Sequence, residues 1–494
     1  MLAAELQPGS EKINHGEARK AMRRGNYDLA AKIYGHLLAL DPNDFNARLS
    51  VSLAYLKVLD YARCFEAARE ALKAQPNNAR AHALAGIAML RSGYVGLASV
   101  ELRIATNLDS NEALAYGGAA EVDYYEGRVA ESRQKSIYAH KLDPDEPDYL
   151  ITYARASSRA EDFKEAADAY ELYLRVAPRS DVERRERILG LIRFYRRLTG
   201  IRVHQVAGAE KAELPFNLGS DRRPYLRIKM NGRDALFVAD TGSGFTVISS
   251  EAAKRFGVSE IARGGKSQGV GGTGKFGIVY GLIRSIEIGA ATLRMVPCFI
   301  RTFHGESNRP PEERAEGFIG LSILSHFIAE LDYKERRLRL DRTAGSSLPV
   351  AGDGITVVPF RTTQNGLISV EAELDGKRII NAILDSGASS MVISAAAVVR
   401  LKMDDQIIKG ETRSVIGAAG VTPNVGMLFI RNCRVADLQQ SNLSALVMDL
   451  SALNETSGFE QSGILGGDFL QHFRLTIDFN RAQLAFKRHA PAPQ

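Results

Sequence analysis

Cysteine is scarce in this sequence, and long apolar runs are missing. Cys64, Cys298 and Cys433 lie far apart and are odd in number, which argues against a disulfide framework and shows no metal-ligand spacing. No stretch reaches the roughly 18 uninterrupted apolar residues that a membrane-spanning helix needs. The first residues, MLAAELQPGSEK, lack the basic and apolar regions of a signal peptide. The sequence therefore predicts no transmembrane segment, and a cytoplasmic location unless a leader peptide precedes these residues.

A large excess of one charge is also missing. Lysine and arginine number 64 against 58 acidic residues, a net charge of +6, and the two signs are interleaved. A nucleic-acid partner is therefore not expected. The densest basic stretch, 184–197, has apolar residues at helical spacing and is predicted to be an amphipathic helix. Histidines are scattered without HExxH or other ligand spacing, so no metal site is expected; no cofactor is expected either.

The composition is that of a soluble globular protein, and the length of 494 residues predicts about three domains. The first 180 residues contain a period of 34. Proline or serine recurs at Pro42, Pro76, Ser110, Pro144 and Pro178. Small residues recur in two further phases, at Ala18, Ser52, Gly86, Ala120 and Ala154, and at Ala30, Cys64, Ala98, Ser132 and Ala166. Two helices approach closely only at such small positions, so the pattern predicts five helix pairs, with Cys64 as a core residue.

Glycine occupies the turn position in three of the five units, at Gly25, Gly93 and Gly127. The other two units have Leu59 and Glu161 at the equivalent position. The period and the small-residue pattern over 11–178 resemble the tetratricopeptide repeat (TPR). This resemblance implies an all-α superhelix over 11–199, with 182–199 as its closing helix. A concave surface of such an array commonly holds a peptide or partner protein. The alternative is that the array only spaces or oligomerises the rest of the chain.

After Gly200 short alternating runs replace the helical period, and everything downstream occurs twice. Asn231-Gly232 and Asp375-Gly376 are hairpin signals, each followed by an apolar strand that ends at an aspartate. Asp240 and Asp385 lie 145 residues apart, while FIG at 318–320 and ILG at 464–466 lie 146 apart. Asp332 and Asp478 keep the same offset. A tandem duplication is therefore predicted, with β-rich lobes over 214–345 and 352–490 joined near 346–354.

The sequences ADTGSGFTVIS and LDSGASSMVIS, each followed by an apolar-apolar-glycine triplet, resemble the motifs of retropepsin-like aspartic peptidases. The resemblance covers 214–490 and implies two acid-protease lobes in a pseudo-twofold pair. It also implies one active site made of Asp240 and Asp385. Two nearby carboxylates share one proton, so the charged one activates water and the neutral one protonates the substrate carbonyl. The alternative is that each aspartate only caps a β-turn.

The residues after each aspartate have supporting roles in this hypothesis. Gly242 and Gly387 allow the two loops to approach, because a β-carbon there would crowd the partner loop. The hydroxyls of Thr241 and Ser386 are expected to bond across to the opposite loop, which is their role in the family.

Two glycine-rich segments complete the prediction. VGGTG, with Gly271 and Gly272, and IGAAG, with Gly417 and Ala418, are expected to be flap hairpins that close over a bound peptide. Residues 269–274, which include the first segment, also fit GxGxxG, and residues 269–275 nearly fit a Walker A motif. An alternating strand pattern follows it instead of a helix, which argues against a phosphate-binding loop.

Together these observations predict an aspartic endopeptidase that acts on a protein or peptide substrate as a monomer. Two alternatives stay open. In the first, the lobes bind peptides without hydrolysing them. In the second, a lobe of one chain pairs with a lobe of another chain to form the active site. The resemblance to bacterial retropepsin-like proteins with repeat arrays also suggests export to the periplasm or cell envelope.

Overall fold

The computed structural model describes residues 14–179, 181–272, 274–304, 309–343, 345, 348–349, 351–352, 354–376 and 378–489. Helices occupy the first part and β-strands dominate the second, as predicted. Much of the predicted joint at 346–354 lies outside the described residues. In the part of the chain that is described, no helix combines the length and apolar character required to cross a membrane.

The N-terminal part consists of helices joined in pairs by tight turns. They are α1 (His15–Arg23), α2 (Tyr27–Leu40), α3 (Phe45–Lys57), α4 (Tyr61–Ala74), α5 (Ala79–Arg91), α6 (Val95–Leu108), α7 (Ala113–Tyr125), α8 (Val129–Leu142), α9 (Asp148–Arg159), α10 (Phe163–Val176) and α11 (Val182–Leu198). The small residues of the 34-residue pattern are buried in them, including Cys64, which is fully buried and forms no disulfide. The predicted core role of Cys64 is therefore confirmed.

The turn within each helix pair requires a left-handed backbone. Gly25, Gly93 and Gly127 have positive φ angles of 74°, 87° and 80°. Leu59 and Glu161, which stand at the same phase, have φ angles of 63° and 60°. Because left-handed geometry is uncommon for residues with a β-carbon, the two exceptions keep the repeat geometry at a cost in strain.

The first β-rich lobe follows α11. Its elements are β1 (Gln205–Gly208), β2 (Lys211–Leu218), β3 (Pro224–Met230), β4 (Arg233–Ala239), β5 (Thr246–Ser249), α12 (Ser250–Phe256), β6 (Ser259–Gln268), β7 (Lys275–Ile288), β8 (Ala291–Arg301), β9 (Gly317–Ile319), α13 (Leu321–Leu324), β10 (Ile328–Asp332) and β11 (Arg337–Asp341). Its strands thus begin before the predicted limit at 214, because β1 pairs with β8 and β2 pairs with β3 and β11.

The second lobe repeats this order, with the helix α15 added between β19 and β20. Its elements are β12 (Ile355–Pro359), β13 (Arg361–Thr362), β14 (Ile368–Leu374), β15 (Arg378–Leu384), β16 (Val392–Ser394), α14 (Ala395–Arg400), β17 (Ile407–Gly417), β18 (Gly420–Val435), β19 (Leu438–Met448), α15 (Ser451–Ser457), β20 (Gly463–Leu465), α16 (Gly467–Leu470), β21 (Phe473–Asp478) and β22 (Gln483–Arg488). The predicted hairpin turns Asn231-Gly232 and Asp375-Gly376 have positive φ at both residues. In each lobe the strand that precedes the aspartate pairs in parallel with the strand of the apolar-apolar-glycine triplet.

One antiparallel sheet connects the two lobes, in the order β12-β22-β21-β10-β11-β2. At its centre β10 of the first lobe pairs with β21 of the second, with Leu331 opposite Leu475. Asp332 is fully buried there, and its carboxylate accepts a hydrogen bond from Nε of Arg474 at 2.7 Å. The duplicated halves therefore share one sheet and one apolar core, which runs through both lobes.

Contacts divide the chain into two compact units. The first comprises Met1–Val122, Ala130–Tyr153 and Arg175–Ser180, and the second comprises Asp123–Val129, Ala154–Leu174 and Asp181–Gln494. The predicted domain limit at 199 thus coincides with the change from helices to strands. The division by contacts differs from it, because it places α11 in the same unit as the β-rich lobes. The reason is that α11 packs on β6, where a β-carbon at Gly190 would overlap the backbone of Gly264.

Candidate active site

The two aspartates occupy equivalent positions in the second unit. Asp240 follows β4 and Asp385 follows β15. The backbone N–H of Asp240 donates to the carbonyl of Ile319 at 3.0 Å, and that of Asp385 donates to the carbonyl of Leu465 at 3.0 Å. Each aspartate loop is therefore fixed by the apolar-apolar-glycine triplet of its own lobe.

The glycine of each triplet lies directly against the aspartate loop. A β-carbon at Gly320 would lie 2.6 Å from the carbonyl oxygen of Ser243, and one at Gly466 would lie 2.5 Å from that of Ser390. Real β-carbons do not come so close to backbone oxygen atoms. The glycine in both triplets is therefore required by the close packing of the loop that carries the aspartate.

The loops of the two lobes meet face to face. A β-carbon at Gly242 would overlap the carboxylate of Asp385, and one at Gly387 would lie 2.6 Å from Cγ of Asp240. Each carboxylate therefore occupies the space that the missing side chain of the opposite glycine leaves. The structure thus brings together Asp240, Asp385, Gly242 and Gly387 at one place.

The hydroxyl residues connect the loops in a reciprocal way. Thr241 Oγ1 donates to the carbonyl of Leu384 at 2.7 Å and accepts from the backbone N–H of Ser386 at 2.9 Å. Ser386 Oγ donates to the carbonyl of Ala239 at 2.8 Å and accepts from the backbone N–H of Thr241 at 3.0 Å. Both side chains are fully buried. These four bonds hold the two aspartates at a fixed separation and orientation.

Burial and mutual repulsion change the acidity of the pair. Burial raises the pKa of Asp240 well above its usual range, and the neighbouring carboxylate of Asp385 raises it further. Burial also raises the pKa of Asp385, but its carboxylate accepts hydrogen bonds from the backbone N–H groups of Gly387 at 2.8 Å and Ala388 at 2.9 Å. The Asp240 side chain accepts one such bond, from Gly242 at 2.9 Å. The shared proton is therefore expected on Asp240, with Asp385 as the charged partner.

The glycine-rich segments form the tips of two antiparallel hairpins, β6–β7 and β17–β18. The prediction of a hairpin instead of a phosphate-binding loop is therefore confirmed. The tips contact each other across the lobes. The N–H of Ala418 donates to the carbonyl of Val270 at 2.9 Å, and the N–H of Ala419 donates to that of Gly271 at 3.0 Å. The N–H of Gly272 donates to Oγ1 of Thr422 at 2.7 Å, and Gly417 packs against Gly271.

Arg301 is a residue near the site that sequence reasoning missed. It ends β8, and its Nη1 donates to the carbonyl of Ala418 at 2.7 Å. Burial lowers the pKa of its guanidinium, while the neighbouring carboxyl group of Asp240 opposes that shift. This arginine therefore links the second flap tip to the neighbourhood of the aspartates. No sequence motif surrounds it, so only the fold could have identified it.

Comparison with known proteins agrees with this geometry. Residues 226–323 and 370–469, one stretch in each lobe, match the aspartyl protease family. No curated protein matches the chain.

Three solved structures illustrate the resemblance to repeat proteins. TTC0263, a thermophilic TPR protein of Thermus thermophilus, is 19% identical, covers 36% of this chain and 96% of its own, and has a TM-score of 0.31. MamA of Desulfovibrio magneticus RS-1 is 21% identical, covers 34% and 94%, and has a TM-score of 0.25. YrrB, described as a TPR protein with an unusual peptide-binding site, is 18% identical, covers 33% and 85%, and has a TM-score of 0.23.

The two family matches coincide with the lobes that place an aspartate loop at their interface. Both lobes are similar to the aspartyl protease family over these residues. The chain is thus a protein of two tandem protease-like lobes preceded by a TPR array, which has the helix pairs and turns that the 34-residue period predicts.

Proposed function

We propose that the chain is an aspartic endopeptidase that hydrolyses peptide bonds with Asp240 and Asp385. One observation carries the proposal: each carboxylate fills the space beside the glycine of the opposite loop, and reciprocal hydroxyl bonds fix the loops. A pair of turn-capping aspartates needs neither the opposite lobe nor this bracing. A proton-sharing pair needs both.

The geometry supports distinct roles for the two acids. Asp385, charged and stabilised by two backbone N–H groups, takes a proton from a water molecule whose oxygen attacks the scissile carbonyl carbon. Asp240 gives its proton to the carbonyl oxygen. When the tetrahedral intermediate collapses, one of its hydroxyls returns a proton to Asp240, the C–N bond breaks, and the leaving nitrogen takes the proton that Asp385 received. The pair then holds one proton again, so no metal or cofactor is required.

The flaps supply the means to hold a peptide. Gly271, Gly272, Gly417 and Ala418 present backbone groups at the two tips, and several of these groups are bonded to the opposite tip. A substrate must separate the tips before it reaches the aspartates. We therefore propose that the tip residues exchange their mutual bonds for bonds to an extended substrate backbone.

The TPR array is proposed to recruit a protein substrate or a partner protein on its concave face. Repeat arrays of helix pairs present extended surfaces of this kind. This recruitment would raise the local concentration of a substrate segment that the lobes then cleave.

The test uses the full chain and a mixed peptide library analysed by mass spectrometry over a range of acidic to neutral pH. We expect cleavage by the wild type and its loss in both Asp240→Asn and Asp385→Asn, by a factor of about 10³ or more, because neither variant keeps both acid and base. Asp405→Asn, an exposed aspartate of the second lobe, is the matched control and should keep full activity. Undiminished cleavage by either dyad variant would remove the proposed mechanism.

The second candidate function is a peptide-binding scaffold that does not cut. The hydrogen bonds between the flap tips favour it, because these bonds would have to break before a substrate could pass between the tips. Peptides that bind the wild type and Asp240→Asn equally, without product from either, would support the scaffold over the peptidase.

A further inference from the structure

Three side chains with metal-binding atoms meet away from the aspartates, within the second compact unit. Glu161 lies in the turn between α9 and α10, His204 lies between α11 and β1, and His326 lies between α13 and β10. One ligand atom from each lies within 4.8 Å of the others. Residue spacing could not reveal this cluster, because the three residues are far apart along the chain.

The environment of His204 is unusual. Its Nδ1 lies 2.9 Å from Oε1 of Glu161, and its ring centroid lies 4.8 Å from that of His326. Its Nε2 is buried and has no hydrogen-bond partner within the described residues. A buried polar atom without a partner destabilises the folded protein, so a ligand at this position would recover that cost.

Backbone strain is concentrated in the same cluster. Glu161 has a φ of 60° at the position where three other repeats have glycine, and His204 has a φ of 45°. Residues with a β-carbon adopt such angles at a cost in free energy, and the angles persist where the surroundings hold them. Glycine at 161 would remove the strain but also the carboxylate. The turn of this repeat therefore carries a carboxylate at a position where the repeat pattern favours glycine.

The cluster is accessible from solvent. A cavity of about 430 Å³ is lined by Glu161 and His204 together with Arg202, Gln205 and Arg294. The two arginines are exposed, so water screens their charge from the cluster. An ion thus has both a path of entry and space for a bound water molecule.

We propose that Glu161, His204 and His326 bind one divalent transition-metal ion of the Zn²⁺ type. Two imidazoles and one carboxylate are a donor set that suits Zn²⁺, with a water molecule as the fourth ligand. Ligand atoms around tetrahedral Zn²⁺ lie about 3.5 Å apart, so shifts of about 1 Å in these side chains would close the site. The ion would join the turn of the last repeat to the first lobe and stabilise that packing.

Metal titration of the full chain tests the proposal. Protein stripped with a chelator and then dialysed is titrated with Zn²⁺ by calorimetry and with Co²⁺ by visible absorption. We expect one ion per chain for the wild type and no saturable site for His326→Ala or His204→Ala. Affinity for Glu161→Gly should fall by about tenfold or more.

Two variants serve as controls. Leu59→Gly makes the same change at the equivalent turn of another repeat, and His82→Gln alters a histidine that pairs with Glu101 without a second histidine. Both should bind Zn²⁺ like the wild type. Because glycine suits the φ of residue 161, Glu161→Gly should fold even if a histidine variant does not. Zn²⁺ should also raise the Tm of the wild type by more than that of Glu161→Gly.

The proposal fails if the wild type has no saturable site. It also fails if all variants bind Zn²⁺ with the wild-type affinity, because that result would mean that the ion binds only adventitiously at the surface.

Discussion

At the scale of single residues, the two aspartates are not equivalent. Asp385 accepts two backbone N–H groups at its side chain whereas Asp240 accepts one. The buried Arg223 lies nearby, and its charge lowers the pKa of both, against the larger effect of burial. The difference in hydrogen bonding thus favours the proton on Asp240 before any substrate is bound.

This assignment has a consequence for stability. The pKa of Asp240 is raised in the folded protein, whereas an aspartate in the unfolded chain has a pKa of about 3.9. The folded state therefore holds a proton that the unfolded state releases, and stability falls as pH rises above about 4. Relative to Asp240→Asn, the wild type should lose up to about 1.4 kcal/mol per pH unit in this range.

Urea unfolding at several pH values between about 4 and 7 measures this difference. Asp405→Asn, with its exposed side chain, should follow the wild-type curve. Parallel curves for the wild type and Asp240→Asn would contradict the raised pKa.

The hydroxyl bracing gives a second prediction at the residue scale. Thr241→Val keeps the shape of the side chain but leaves the buried carbonyl of Leu384 and the N–H of Ser386 without this partner. The free energy of unfolding should therefore fall by about 2–4 kcal/mol. Thr241→Ser, which keeps the hydroxyl, is the matched control and should fall by about 1 kcal/mol for its lost methyl group. Equal losses in the two variants, measured by urea unfolding, would show that the hydroxyl is unimportant.

At the scale of elements, the two flaps have different supports. The strand β6 of the first flap packs against α11, and Lys275 of β7 forms an ion pair with Glu183 at 2.7 Å. The tip of the second flap is held by Arg301, which donates to Ala418. The second flap therefore depends on one side chain of the opposite lobe for part of its closure.

Removal of that side chain should loosen the second flap. Arg301→Met eliminates a hydrogen bond from a charged donor, which contributes about 1.5–3 kcal/mol. Amide hydrogen exchange in a peptide covering Ile416–Val421 should accelerate by about tenfold or more in this variant. Arg413→Met, at an exposed position of β17, should leave the exchange unchanged. Identical exchange in Arg301→Met and the wild type would mean that the tips hold each other without the arginine.

At the scale of the whole molecule, one chain supplies both aspartates. The lobes share the sheet in which β10 pairs with β21, and Asp332 and Arg474 connect them in its buried centre. Monomer activity remains a proposal that a mixing experiment can test.

Asp240→Asn and Asp385→Asn proteins are unfolded together and refolded as a mixture. If lobes paired between chains, an intact dyad would form from one wild-type lobe of each variant, and part of the activity would return. We expect no recovery, with mass measurement giving a monomer. Recovered cleavage would establish pairing between chains.

Sequence patterns predicted the helix pairs, the duplication and the aspartate loops because these features depend on local or periodic residues. The five turns had the same left-handed geometry despite Leu59 and Glu161, since packing of the repeat overrides the preference for glycine. The Arg301 contact and the cluster around His204 could not be predicted. They depend on distances between segments that no motif links.

The shared sheet has a further consequence. In a peptidase assembled from two identical chains, dilution separates the halves, and one substitution alters both walls of the site. In the proposed monomer the second half is covalently attached to the first, so dilution would not separate the two lobes, and a substitution in one lobe would alter only that lobe's side of the site.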